Sequence, residues 1–306
     1  MSRNDTLILD GHTLTLETLE KVAREHRPVT LSSDGLARMA AARKLVDTAI
    51  TEKKPVYGVT TGLGARVVEA LDAETLADFS YKTVRGRAHA VGKPVPRETV
   101  RAAMTVRANT LLKGAAAASP AIAEHLVACL NAGITPVVGE IASIGAGDLV
   151  WNATMSLALI GEGPMEDAGG NVGPGSGIMK TAGITPLELG PRDGLALCNN
   201  ASHSAALSGL SIASAKTMYE AVQSAAALSL EGFLANLSPF DGRVLALRPQ
   251  PGQHNAATGI MDRLQESKLL AADTARRLQD PLSIRNIPQI HGAVDAALVF
   301  AGEAVT

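Results

Sequence analysis

Apolar residues recur along most of the chain at helical rather than strand spacing. Leu16, Leu19 and Val22 share one face of a segment over 16–26, and Leu36, Met39, Val46 and Ile50 share one face of a second helix that Ser32, Ser33 and Asp34 can cap. Extended signals are short. Leu7-Ile8-Leu9 and Pro28-Val29-Thr30-Leu31 read as small strands, and Val56 ends a third apolar piece. Further helices are predicted from about residue 73, over 96–116, over 117–133, and through the apolar run ending in Leu159-Ile160-Gly161-Glu162-Gly163. A long Ala/Ser/Leu helix is expected over 193–236. Its small apolar residues occupy most of its circumference, as in the centre of a bundle or an oligomer. A last helix starts near Val294 and meets no cap, Gly or Pro before residue 306. The pattern predicts a mainly α protein, a long-helix bundle with a small mixed α/β N-terminal layer, divided into 1–190 and 191–306.

A chain of 306 residues with 46% hydrophobic content can bury a large core, and with 3% aromatic residues that core is aliphatic. A formal charge of −2 without a basic block argues against electrostatic binding of nucleic acid. Cys129 and Cys198 lie in apolar helical surroundings and suggest no disulfide framework. No basic stretch followed by an apolar one opens the chain, and no 18-residue apolar run occurs, so a cytoplasmic location without membrane partners is expected. The glycines of 167–177 lack a Gly-Lys-Ser/Thr ending and a strand-glycines-helix order, and read as a surface loop rather than a phosphate cradle. No metal-ligand spacing stands out.

Chemistry concentrates in four places. Ser143-Ile144-Gly145-Ala146-Gly147-Asp148-Leu149 brings glycines against a lone acid ahead of a helix, which suits either an ordinary turn or strained backbone chemistry. Val56-Tyr57-Gly58-Val59-Thr60-Thr61-Gly62-Leu63-Gly64 is a glycine-spaced loop with a hydroxyl-rich tip and one Tyr. His89 stands among small residues in Arg85-Gly86-Arg87-Ala88-His89-Ala90-Val91-Gly92, and on residue types alone is a satisfied surface or core histidine. Asn199 follows Gly194-Leu195-Ala196-Leu197-Cys198, and on residue type alone is a buried, hydrogen-bonded amide. The charges of Arg107-Ala108-Asn109-Thr110-Leu111-Leu112-Lys113-Gly114 read as a solvated or ion-paired helix face.

These segments, with Ser238-Pro239-Phe240-Asp241-Gly242-Arg243, Arg248-Pro249-Gln250-Pro251-Gly252-Gln253 and Gln279-Asp280-Pro281-Leu282-Ser283-Ile284-Arg285, resemble in order and spacing the histidine and phenylalanine ammonia-lyase family. That family builds an electrophilic methylidene-imidazolone from an internal Ala-Ser-Gly triplet followed by Asp-Leu. Here Ala146 runs straight into Gly147 without the Ser. No β-hydroxyl or thiol is available at either residue to eliminate, and Ser143 lies outside the turn that would cyclise, so no such cofactor is expected. By the same resemblance Ala146, Gly147 and Asp148 form the catalytic turn and Tyr57 is the base for the β-proton. A phenol is a poor base at neutral pH and needs a cationic or hydrogen-bonding environment for that role. His89, Asn199 and Gln279 are carried over as substrate-binding groups, and Arg285 as the fork for the substrate carboxylate. Two departures stand out: Leu282 occupies the Tyr position of the family's Gln-Asp-x-Tyr-Ser-x-Arg segment, and Ala88 precedes His89 where a Ser is frequent.

The resemblance covers nearly all of this chain but only the N-terminal part of a family member, and it implies an oligomer, with a separate subunit as the expected source of the C-terminal helical half. Three functions fit: a lyase releasing an amine from an amino acid or derivative to leave an α,β-unsaturated acid; another 1,2-elimination or an aminomutase-like step completed by a partner's acid; and a non-catalytic scaffold or regulatory subunit that keeps a carboxylate pocket. Without the electrophile, the first needs a nitrogen that leaves readily, such as a quaternary ammonium.

Overall fold

The computed structural model describes residues 6–63 and 73–305. The chain divides into two compact units, Met1–Leu210 and Ser211–Thr306. The division falls inside one long helix, so part of the segment after residue 190 belongs to the first unit.

In the first unit, β1 (Leu7–Leu9) pairs in parallel with β2 (Val29–Leu31) across α1 (Leu16–Arg24), whose Thr15–Thr18 capping box fixes its start. Helix α2 (Ser33–Thr51) is capped by Ser32, whose hydroxyl accepts from the Gly35 N–H at 3.1 Å. Then come α3 (Ala73–Arg85), β3 (Val91–Pro94), α4 (Arg97–Leu111), α5 (Pro120–Asn131), β4 (Thr135–Pro136), β5 (Gly139–Ile141) and α6 (Leu149–Leu159). A small hairpin, β6 (Pro164–Glu166) with β7 (Val172–Pro174), continues the β4 sheet and precedes α7 (Gly175–Thr181). Ala102, Ala103, Met104, Ile122, Leu126, Trp151, Met155 and Leu159, from α4, α5 and α6, are all buried in one hydrophobic cluster. The strands after β2 were not anticipated, because pieces of two to four residues show no periodicity to read.

The helix expected over 193–236 is broken. It forms α8 (Asp193–Cys198) and α9 (Ser202–Phe233), separated by Asn199, Asn200 and Ala201. The break follows from tertiary hydrogen bonds that take the carbonyls of Cys198 and Asn200 out of the helical ladder. The expected solvated face of α4 is a second correction. Arg107 is buried and donates to the Ala196 carbonyl of α8, and Asn109 Oδ1 accepts from the Gly11 N–H at 2.9 Å. Arg101, also buried, donates to Val22 O (2.9 Å) and Ala23 O (3.3 Å) near the end of α1 and to Leu130 O (3.1 Å) near the end of α5. Carbonyls left over at helix ends solvate these guanidinium groups where water cannot reach. Burial pulls both down to about 10, so both stay charged at neutral pH.

The second unit holds the rest of α9 together with α10 (Gly242–Ala246), α11 (Pro251–Arg263), α12 (Leu282–Arg285) and α13 (Ile287–Val305). Helix α13 begins at Ile287, seven residues before the expected start. Leu230, Phe240, Leu245, Ala257, Ile260 and Leu264 form its core. Helices α11 and α13 cross at Gly252 and Gly292. A Cβ on Gly252 would lie 2.2 Å from the Gly292 carbonyl oxygen, so the crossing needs glycine there. Among the described residues no helix is long and apolar enough to cross a membrane.

Candidate active site

The antiparallel pair β3–β5, which pairs Val91↔Ile141 and Pro94↔Gly139 with a register shift between them, delivers the chain into the central turn. Gly145 (φ +78°) and Gly147 (φ +59°) flank Ala146 in left-handed backbone, and both they and Ala146 are exposed. The requirement for glycine at 147 is conformational. The nearest neighbours of a Cβ placed there are Asn200 O at 3.4 Å and Asn199 Oδ1 at 3.6 Å, which leaves ordinary space.

Asp148 closes the turn and anchors it. Its N–H donates to Asn200 O at 3.0 Å, and its buried carboxylate accepts from the Ser204 N–H (2.8 Å) and hydroxyl (2.6 Å). One turn along α6, Asn152 is fully buried, and its Nδ2 donates to Asn200 O (3.0 Å) and Cys198 O (3.3 Å). The Ser202 hydroxyl lies 2.6 Å from Asn200 Oδ1 and 3.3 Å from Asn152 Oδ1. These bonds staple the α8–α9 link to the turn and leave Asn199 exposed beside Gly147. The reading of Asn199 as a buried amide is therefore corrected.

Tyr57 sits at the other end of α8. Its segment is a turn rather than the end of a strand, because the Val59 and Thr60 N–H groups both donate to Val56 O at 3.0 Å. Gly58 (φ +66°) packs so tightly that a Cβ would come within 2.5 Å of Leu195 Cδ2. Arg192, which precedes α8, donates to the Tyr57 carbonyl (3.5 Å) and to Ala116 O (3.2 Å). The Tyr57 turn and Asn199 are thus separated by one six-residue helix, about 9 Å of rise. Tyr57 is half exposed, and Gly64, the last glycine of its loop, lies outside the described residues. His89 is exposed two residues ahead of the Val91↔Ile141 pair, as Ser143 is two residues beyond it, and the next residue, Ala90, donates its N–H to Thr154 Oγ1 of α6 at 3.1 Å.

In the second unit, Gln279 is exposed and Arg285 is half-buried at the end of α12. The buried Asp280 holds the segment between them, accepting from the Asn236 N–H at 2.6 Å, while Asn236 Nδ2 donates to Leu278 O at 2.8 Å. Leu282 is exposed.

Four residues of the turn's surroundings escaped the sequence reading: Trp151, Asn152, His203 and Ser204. The Trp151 and His203 rings stack with centroids 3.7 Å apart and planes 13° from parallel. Burial holds the His203 imidazole below its ordinary pKa, with the Asp148 charge acting against that shift. A histidine between two serines at the head of an alanine-rich helix, and a single tryptophan three residues after Asp148, were the available signals.

A methylidene-imidazolone does not fit the residues present. Ala146 offers only a methyl group, Gly145 and Gly147 offer no side chain, and the Ser143 hydroxyl sits upstream, accepting from the Gly145 N–H at 3.4 Å. No group of three or more His, Cys, Asp or Glu side chains among the described residues could hold a metal ion.

A small mixed layer, long helices, and a glycine turn held against an Asn-bearing helix end define a class. This chain belongs to the aromatic amino acid lyase family, whose sequence model matches residues 14–306. Histidine ammonia-lyases of Caldanaerobacter subterraneus subsp. tengcongensis and Gloeobacter violaceus are each 36% identical to it, over 96% and 97% of this chain and 58% of their own length. Among solved structures, the ergothioneine-degrading enzyme ergothionase of Treponema denticola, in complex with desmethyl-ergothioneine sulfonic acid, superposes with a TM-score of 0.91 at 31% identity, covering 98% of this chain and 60% of that one. Histidine ammonia-lyase of Trypanosoma cruzi gives a TM-score of 0.88 at 25% identity, covering 98% of this chain and 56% of that one. The chain spans about 58% of the length of the curated relatives it matches.

Proposed function

We propose that this chain contributes to a carbon–nitrogen lyase site that works without a methylidene-imidazolone and expels a quaternary ammonium from an amino-acid betaine, leaving an α,β-unsaturated acid. One observation carries the reading: the central turn keeps its left-handed glycines and its anchoring to α8 and α9, yet has no β-hydroxyl from which the electrophile could be made. A primary amine needs covalent activation to depart. A trimethylammonium group departs as neutral trimethylamine, taking the C–N electron pair and needing no proton.

In this reading Tyr57 removes the β-proton, the C–H pair becomes the new double bond, and the C–N bond breaks. Arg192 at the base of the Tyr57 turn supplies a cation to that region. Asp148, whose carboxylate is met by Ser204 alone and by no cation among the described residues, supplies a negative potential that favours a quaternary nitrogen. Arg285 takes the carboxylate, and His89, Asn199 and Gln279 shape the pocket. Ergothioneine, which the Treponema denticola relative degrades, is a trimethylammonium betaine, and this supports the substrate class. The proposal assigns the remaining helical part of the site to further polypeptide within an oligomer, either a continuation of this chain or a separate subunit.

Leu282, in the place of the family's Tyr, favours a second reading: a non-catalytic subunit that retains the carboxylate pocket. One assay separates the two. The protein, isolated with whatever chains accompany it, is given trimethylbetaines of histidine, 2-thiohistidine and phenylalanine alongside the parent amino acids, and trimethylamine, ammonia and unsaturated acid are measured. Release of trimethylamine that Tyr57→Phe abolishes is the expected result. Ammonia release, with an intact mass showing dehydration of the chain, would sink the proposal. No product, with carboxylate binding that Arg285→Lys weakens, would establish the second reading.

A further inference from the structure

His203 lies on the first turn of α9 between two residues already engaged at the turn, Ser202 toward Asn152 and Ser204 toward Asp148. Its imidazole lies flat on Trp151, which is 2% exposed and stands three residues after Asp148 on α6, so the ring cannot swing away without losing the stack. The two ring nitrogens are not equivalent. Nδ1 is buried with no hydrogen-bond partner among the described residues, and Nε2 is not among the buried atoms left without a partner. Orphaned buried N–H groups are rarer than under-satisfied acceptors, so the proton of the neutral ring belongs on Nε2. A second proton on Nδ1 would face nothing. Burial accordingly keeps the ring neutral to lower pH than usual, and Asp148 is the one charged group that acts on it among the described residues. The result is a rigid, neutral donor beside the central turn, with its N–H in the ring plane and directed away from the stack.

Asp148 also restricts what that donor can meet. A ligand carboxylate placed there would be repelled by the neighbouring carboxylate, whereas an uncharged acceptor would not. We propose that His203 Nε2–H is a specificity-determining hydrogen-bond donor of the lyase site, held by Trp151, which selects substrates whose β-substituent carries a neutral acceptor such as a ring nitrogen or a carbonyl oxygen over substrates with a hydrocarbon ring. This inference rests on the lyase site proposed above and names the part of the substrate that the site reads.

The test compares wild type with His203→Phe, which keeps a ring on Trp151 but removes the donor, and with His203→Gln, which returns an N–H. Calorimetry on the intact assembly measures binding of L-histidine and L-phenylalanine and of their trimethylbetaines. The expected result is a preference of about tenfold for the imidazole ligands, the size of one ligand hydrogen bond, lost in His203→Phe and largely restored in His203→Gln. A preference unchanged in His203→Phe, equal weakening toward both rings, or no binding in either series would overturn it. If the preference appears with the amino acids while the betaines neither bind nor react, the His203 assignment stands and the quaternary leaving group falls. A second readout does not involve substrate. Trp151 is the chain's single tryptophan, and a stacked imidazolium quenches indole emission more than imidazole does, so wild-type emission should fall below the ordinary histidine range as pH drops. His203→Phe should lack that step. A wild type without it would refute the stacked neutral ring.

Discussion

Asn152 is the residue on which the turn's support can be tested most sharply. Its Nδ2 faces two carbonyl oxygens, Asn200 O at 3.0 Å and Cys198 O at 3.3 Å, while Oδ1 lies 3.3 Å from the Ser202 hydroxyl, so the amide can be oriented only one way. Asn152→Ala removes three bonds worth about 1 kcal/mol each and opens a small cavity costing about 1 kcal/mol more, for a total of about 3–4 kcal/mol. In a unit of this size that lowers Tm by about 10 °C. Asn152→Asp is nearly isosteric and fills the cavity, yet it points an oxygen at both carbonyls. Ionised, it is a buried charge without a cation; protonated, it satisfies one carbonyl of the two. We predict that at pH 7 it is less stable than Asn152→Ala. Because the folded state raises this carboxyl's pKa above the unfolded value of about 3.9, the folded form holds a proton the unfolded form has lost. Stability is therefore fully recovered only below about pH 4 and is lost as pH rises, by up to about 1.4 kcal/mol per unit relative to wild type, until the folded pKa is passed. Urea denaturation followed by far-ultraviolet circular dichroism between pH 5 and 8 reads this directly. An Asn152→Asp protein as stable as wild type at pH 7, or one whose deficit is flat across that range, would refute the reasoning.

Alanine at the two positive-φ glycines should separate strain from crowding. Gly147→Ala has space and should cost about 1–2 kcal/mol, whereas Gly58→Ala also meets Leu195 Cδ2 at 2.5 Å and should cost more and displace the Tyr57 turn, as thermal denaturation and limited proteolysis would reveal. Burial pushes His125 down to about 4, so the folded state resists a proton that the unfolded chain accepts near pH 6.5. Its contribution is complete above pH 6.5 and is lost by up to roughly 3 kcal/mol as pH falls to about 4, and His125→Gln should flatten denaturation midpoints across that window. Burial raises Cys129 and Cys198 to about 12, so both thiols should resist a thiol reagent at pH 8 in the native protein and react together on unfolding; native labelling of either would contradict their placement.

The parts of this fold that were legible in sequence are those encoded locally. Ser32 sits at a helix start, apolar stripes mark α1 and α2, and the glycine spacing around Ala146 and Tyr57 marks turns that only left-handed residues can make. What stayed hidden depends on partners far along the chain. The break between α8 and α9 carries no Gly or Pro, because Asn152, some fifty residues earlier, pulls out the carbonyls. Arg107 looked like a surface charge because nothing nearby in sequence says that the end of α8 reaches it, and the burial of Arg101 depends in the same way on the distant ends of α1 and α5. The Trp151–His203 stack joins two helices whose own patterns are merely apolar and small.

Arg101 has a kinetic meaning as well. Its three carbonyl partners lie 79, 78 and 29 residues away, near the ends of two different helices, and the side chain is almost completely enclosed. A guanidinium stripped of water is tolerable only when all of those carbonyls are in place. An intermediate with α5 docked and α1 still loose would hold a half-solvated cation at its centre. The first step of unfolding for α1 must therefore readmit water to Arg101, and that ties the N-terminal layer to the helical core as one cooperative unit rather than a detachable flap.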